Sequence, residues 1–219
     1  MPQTVQLPRA LFLFTAFYGG MTCIAGVLGA KQVAIGPLAV EAGIFPFLML
    51  VATSSAIAGL YGREIANRLV IFGFVPLITA IIMIWVVLRL PTDAGMYEPA
   101  KEAFPIILGQ SWRLMAAGIL AYGVSMTLNV WIFARLGQGG TRFAALRGAT
   151  ASVISQVIDT LIFITVAFYG VRPIGELLLG QSLAKVVLSI VLVPPTIRLF
   201  IALARKLDHD AAEPVGASA

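Results

Sequence analysis

The stretch GATASVISQVIDTLIFITVAFYGV, residues 148–171, holds a single ionisable group, Asp159, at its midpoint. At 1.5 Å per residue, a helix of this length crosses the roughly 30 Å of hydrocarbon in a bilayer, so the stretch reads as a membrane span. An ionised carboxylate facing lipid at that depth costs several kcal/mol, which marks Asp159 as a residue kept for a purpose. Ser152, Ser155, Gln156, Asp159 and Phe163 recur at steps of three and four and share one helical face, while Ile154, Ile158, Leu161 and Ile162 lie elsewhere. The polar face is expected to look into a bundle.

The rest of the chain supplies that bundle. Of 219 residues, 59% are hydrophobic and 11% charged, and the mean hydropathy is +0.96, far outside soluble-domain composition. Apolar stretches at 10–30, 42–62, 69–88, 114–134 and 177–197 join 148–171, the last-named partner being broken only by Lys185. The expected fold is therefore all-α and integral to the membrane, with six transmembrane helices in one domain over residues 1–205. Even parity puts both termini on one side. That side carries Arg9, Arg63, Arg68, Arg135, Arg142, Arg147, Arg198, Arg205 and Lys206, against Lys31, Arg89, Lys101, Arg113 and Arg172 on the other. Because such cations resist translocation, the N- and C-termini are read as cytoplasmic. The net charge of +5 is then a topology signal, and no nucleic-acid partner is implied. The first stretch follows Arg9 but is longer than a typical signal-peptide core, so it is read as a retained helix. Cys23 is the only cysteine; it can form no disulfide within the chain and is read as a packing residue.

Between the spans, the connection from Arg89 to Arg113 contains Pro91, Asp93, Gly95, Pro99 and Pro105, which are expected to break regular structure. Met96, Tyr97, Phe104 and Ile106 in it suit the membrane interface. The loop from Arg135 to Arg147, with Gly137, Gly139 and Gly140, is expected to be flexible beside anionic headgroups, and residues 206–219 to form a disordered cytoplasmic tail. Pro46 after Phe45, with Thr53, Ser54 and Ser55 further on, predicts a bent or broken second helix. Its hydroxyls either face a site or bond back to their own helix. Small residues four apart, such as Ala16 with Gly20 and Gly26 with Ala30, permit close helix approach, within the monomer or at a homodimer seam.

The fourth span offers Tyr122, Ser125 and Asn129 at the same helical steps as the fifth. Ala121, Ser125, Asn129 and Phe133 recur as Ala151, Ser155, Asp159 and Phe163. Only a short loop links these spans, so they are antiparallel and adjacent. Counting 1.5 Å per residue, Asn129 lies about 5–8 Å nearer the cytoplasm than Asp159, level with Ser155 or Gln156, whereas Lys185 lies at nearly the depth of Asp159. One reading is structural: an Asp159–Lys185 ion pair, with Asn129 and Gln156 as interhelical hydrogen bonds. The other is a site for a small polar molecule, hence a transporter. A carboxylate accepts two parallel hydrogen bonds from adjacent N–H donors, an amide both donates and accepts, and aromatic rings stack on a flat ring. A guanine-like base has these features.

The run from Arg147 through Ala151, Ser152, Ser155, Gln156 and Asp159 to Phe163 resembles the signature of the queuosine precursor transporters, a family also described as vitamin uptake transporters. Phe45-Pro46, Tyr61-Gly62 with Ala66, Trp112-Arg113, and Asn129 with Phe133 match as well, and the resemblance runs from about Gly29 to Gly170. It implies a six-helix carrier in the bacterial inner membrane importing 7-cyano-7-deazaguanine or a related 7-deazapurine. It further implies Asp159, Asn129 and Gln156 as ligand contacts, with Arg113 and Arg147 at the mouths of the site. Ser125, Ser155, Lys185 and Phe45 complete the candidate set. The chain departs from the family pattern at Ser54-Ser55, where Thr-Asp is expected, at Gly59 for Glu, at Ala30 for Asn and at Met126 for Gln.

An alternative is the substrate-binding membrane subunit of an ATP-driven importer for a small vitamin-like molecule. The chain has no nucleotide-binding loop, so ATP would come through partners. No enzyme chemistry is expected: the only histidine, His209, lies in the tail, and neither a His-Glu-x-x-His nor a Gly-x-Ser-x-Gly motif occurs. No catalytic residue, metal or cofactor is expected.

Overall fold

A computed structural model describes residues 8–36, 38–109, 112–137, 143–171 and 173–212. Arg142, Arg172, Gly139, Gly140 and residues 213–219 lie outside the described residues. Among the described residues, six helices are long and apolar enough to cross a membrane: α1 (Arg9–Leu28), α2 (Ile44–Tyr61), α3 (Arg63–Val87), α5 (Trp112–Arg135), α6 (Ala144–Phe168) and α7 (Gly175–Ala212). Between α1 and α2 lies an antiparallel hairpin of β1 (Gln32–Ile35) and β2 (Leu38–Glu41), and before α5 the short helix α4 (Glu98–Leu108).

The helices assemble as a ring around one axis. In order, α1, α3, α5, α6 and α7 each pack on the next, α7 closes back onto α1, and all five pack against α2. That explains the composition of α2, which carries no charge and is mostly apolar around its circumference: a helix surrounded by others has no face turned to water. Leu48, Leu50, Val51, Ala52, Ala56 and Ile57 are buried, and so are Thr53, Ser54 and Ser55. The outer helices turn apolar side chains outward instead, as at Ile71, Phe72 and Val75 of α3. Gly62 has φ +89°, a conformation essentially restricted to glycine, and lets α2 reverse into α3 through a single residue.

The helix limits differ from the apolar stretches in an informative way. α3 begins at Arg63 rather than 69, with Arg68 and Glu64 paired at 2.7 Å one turn apart, and α6 begins at Ala144 rather than 148. Charged residues end the lipid-compatible stretch, not the hydrogen-bonded helix. The expected break at Pro46 does not occur. α2 starts at Ile44, so Pro46 sits in the first turn, where a backbone N–H would lack a helical partner in any case.

Nor is the 89–113 connection irregular throughout. Pro99 falls in the first turn of α4, where it favours the helix, and Pro105 is accommodated further along. The presumed tail is also helical as far as Ala212. Asp208 holds it in place, accepting the Ala10 backbone N–H at 3.1 Å and the Tyr61 hydroxyl at 2.6 Å. The hairpin was not expected, although two four-residue runs around Gly36-Pro37 are a short-range hairpin signal.

Candidate functional site

Three helices bring the polar centre together. Asp159 on α6 is nine-tenths buried; its Oδ2 accepts Lys185 Nζ of α7 at 2.9 Å and its Oδ1 accepts Ser125 Oγ of α5 at 3.0 Å. The depth estimate from helical rise therefore holds for Lys185. Antiparallel α5 and α6 meet because small residues face each other, with Ala117, Ala121, Ala151 and Gly148 buried. A Cβ on Gly148 would meet the end of the Ile197 side chain of α7, which would have to shift.

Above this centre, toward the hairpin, lies a cavity of about 420 Å³, within the range of small-molecule sites. Asp159 and Lys185 line its deep end and Glu41 lines it at the hairpin. Apolar and aromatic side chains from Phe47, Ile106, Met115, Tyr122, Phe163 and Phe168 complete much of the wall. Tyr122 is fixed in position: its hydroxyl lies 3.0 Å from the Val70 carbonyl and 3.1 Å from the Tyr18 hydroxyl. Gly73 supplies the space, because a Cβ there would collide with Tyr122.

A second polar layer lies toward the chain termini, three residues back along α6 and four on along α5. Asn129 Nδ2 donates to Ser54 Oγ and Ser55 Oγ of α2, both at 3.2 Å. The hydroxyls of Thr53 and Ser54 donate back to Met49 and Val51 carbonyls of their own helix. Asn129 Oδ1, both amide atoms of Gln156, and Ser152 Oγ are buried without a hydrogen-bond partner among the described residues. Ser155 Oγ, also buried, donates to the Ser152 carbonyl at 3.1 Å. None of these residues lines the cavity. Asn129 and Gln156 are thus near Asp159 but behind the cavity floor. Ser55, standing where the family pattern leads one to expect Asp, is a neutral partner of Asn129.

The remaining candidates serve other contacts. Arg113 Nε donates to the Val166 carbonyl and its Nη2 to the Tyr169 carbonyl, both at 2.6 Å. It ties the start of α5 to the end of α6, where cations complement the exposed carbonyls and the helix dipole. Arg147 donates to the Phe133 carbonyl at 2.8 Å and lies 4.3 Å from the centre of that residue's ring. Neither lines the cavity. Phe45 is exposed on the surface of α2, and Phe47, two positions on, occupies the cavity wall instead.

Sequence reading missed Glu41, Thr22 and Gln181. Gln181 Nε2 donates to Glu41 Oε1 at 3.2 Å. A signal for it was present: Gln181, Lys185 and Ser189 form a polar stripe at four-residue steps on α7.

A family model described as putative vitamin uptake transporter matches residues 41–199. The probable queuosine precursor transporter of Bacillus subtilis (strain 168) is 29% identical over 140 residues, which cover 61% of this chain and 60% of that relative's own length. No solved structure matches.

Proposed function

Since the chain belongs to the putative vitamin uptake transporter family, a family of multi-pass membrane transporters, we propose that it imports a queuosine precursor, 7-cyano-7-deazaguanine or a related 7-deazapurine. The single observation that carries this reading is the cavity that ends on Asp159 and Lys185 at mid-helix depth. A buried ion pair is often no more stable than apolar residues of the same volume, so its place on a cavity wall favours a role in recognition. The name of the Bacillus subtilis relative points to the same substrate class.

In this account the flat base enters between Phe47, Tyr122 and Phe163, whose rings offer stacking surfaces. Its ring N–H and exocyclic amine then donate to the Asp159 carboxylate. Asn129 and Gln156, one layer deeper, supply amide donors and acceptors to the base as it passes beyond the floor. The bacterial inner membrane is the proposed location, with both termini on the cytoplasmic side.

The test is uptake by cells that depend on external precursor. Asp159→Asn should abolish growth rescue while the variant reaches the membrane at normal level; undiminished rescue would refute the assignment. Vesicles containing only this protein should also accumulate the ligand, whereas dependence on an added ATPase would favour the importer-subunit alternative.

A further inference from the structure

The ion pair at the deep end of the cavity has a partner for every polar atom and still has capacity to spare. A carboxylate offers about four acceptor sites, and an ammonium keeps further N–H groups beyond one ion pair. Asp159 uses each oxygen once, Oδ1 for Ser125 Oγ at 3.0 Å and Oδ2 for Lys185 Nζ at 2.9 Å. Asp159 is the acceptor that Lys185 meets among the described residues. Both line the cavity, and both side chains keep a little exposure, 12% for Lys185 and 8% for Asp159.

The cavity wall therefore presents a cationic donor and an anionic acceptor side by side. Ser125 fixes the carboxylate from its other oxygen, so the two charges hold a set orientation. Phe47 and Phe163 line the same space, and an apolar surround strengthens the pull of each group on a ligand. The complement of this pair is a ligand edge on which an acceptor adjoins donors. A lactam, where a ring carbonyl lies beside a ring N–H, is such an edge.

We infer that Lys185 is a specificity-determining residue that touches the ligand, donating to a ring carbonyl beside the N–H groups held by Asp159. The inference rests on the 7-deazapurine reading and deepens it. With its ring N–H and exocyclic amine on the carboxylate, a 7-deazaguanine brings its keto oxygen to the ammonium. An amino group at that position would set donor against donor and be rejected.

The test measures binding to purified full-length protein of 7-cyano-7-deazaguanine and its 6-thioxo counterpart, which keeps both N–H donors but carries a much weaker acceptor. Wild type should prefer the oxo compound by about tenfold or more, the size of one charge-assisted hydrogen bond. Lys185→Met should bring that preference close to one, whereas a merely structural lysine would weaken both compounds alike and leave their ratio unchanged. A second measurement needs no variant: infrared spectra of the wild-type complex with carbon-13 at C6 should place the keto band below its position in water, since an ammonium is the stronger donor. Equal binding of the two compounds by wild type, an unchanged ratio in Lys185→Met, or a keto band at or above its position in water would overturn the inference and leave the transporter reading intact. Binding of neither compound would overturn both.

Discussion

One turn of α6 separates two polar layers whose surroundings differ sharply. In the first, Asp159 faces the cavity and both its oxygens accept hydrogen bonds, from Ser125 and Lys185. In the second, Gln156 and Asn129 are fully buried and leave amide atoms without partners. Each unpartnered buried group costs on the order of 1–3 kcal/mol, so the unpartnered atoms of the deeper layer do not serve stability. The first layer is complete in this state of the molecule, while the second has hydrogen-bonding capacity that only another molecule or another conformation uses. Under the proposed function, the two layers would serve as two successive stations rather than one ring of contacts.

Breaking the first layer should have the largest effect. Lys185→Met leaves a buried carboxylate without its cation and is expected to cost about 3–5 kcal/mol of stability, measured by denaturant unfolding in detergent. Adding Asp159→Asn should restore most of that loss while uptake stays abolished. A double variant that transports would show that the pair is purely structural.

The second layer should respond in the opposite sense. Gln156→Leu removes two unpartnered polar atoms at similar volume and is expected to raise stability by about 1–3 kcal/mol while uptake falls. A loss of stability instead would mean that the amide is satisfied. The smallest effect is expected far from both layers. Tyr61→Phe removes one hydrogen bond to Asp208 and should cost about 0.5–1.5 kcal/mol in the same unfolding measurement. A larger loss would place the α7 extension among the main supports of the fold.

Much of this comparison was legible in the sequence, because depth along a helix follows from counting residues. The six spans, the shared face of Ser152, Gln156 and Asp159, and the level of Lys185 all come from hydropathy and helical period. What counting does not supply is the surroundings of a side chain. Phe45 and Phe47 are equivalent to hydropathy, yet only Phe47 reaches the cavity wall. Asn129 and Gln156 lie at the expected depth, but both are buried away from the cavity wall. Arg113, expected at a mouth of the site, donates to the Val166 and Tyr169 carbonyls at the end of α6, a contact between residues more than fifty positions apart that counting along helices does not give. Glu41 was missed because its place on the cavity wall depends on a hairpin bringing it against α7. Helix ends were misjudged where prolines fell in first turns, since Pro46 and Pro99 break a helix only in its interior.

The central claim is that the cavity above Asp159 is where the ligand binds, and cysteine protection tests it most directly. Gly118 lines the cavity, and a side chain added there meets no atom within 4 Å. With Cys23→Ser as background, Gly118→Cys should react with a membrane-impermeant thiol reagent, and 7-cyano-7-deazaguanine should slow that reaction several-fold. Labelling at an undiminished rate, at ligand concentrations that saturate uptake, would contradict the account.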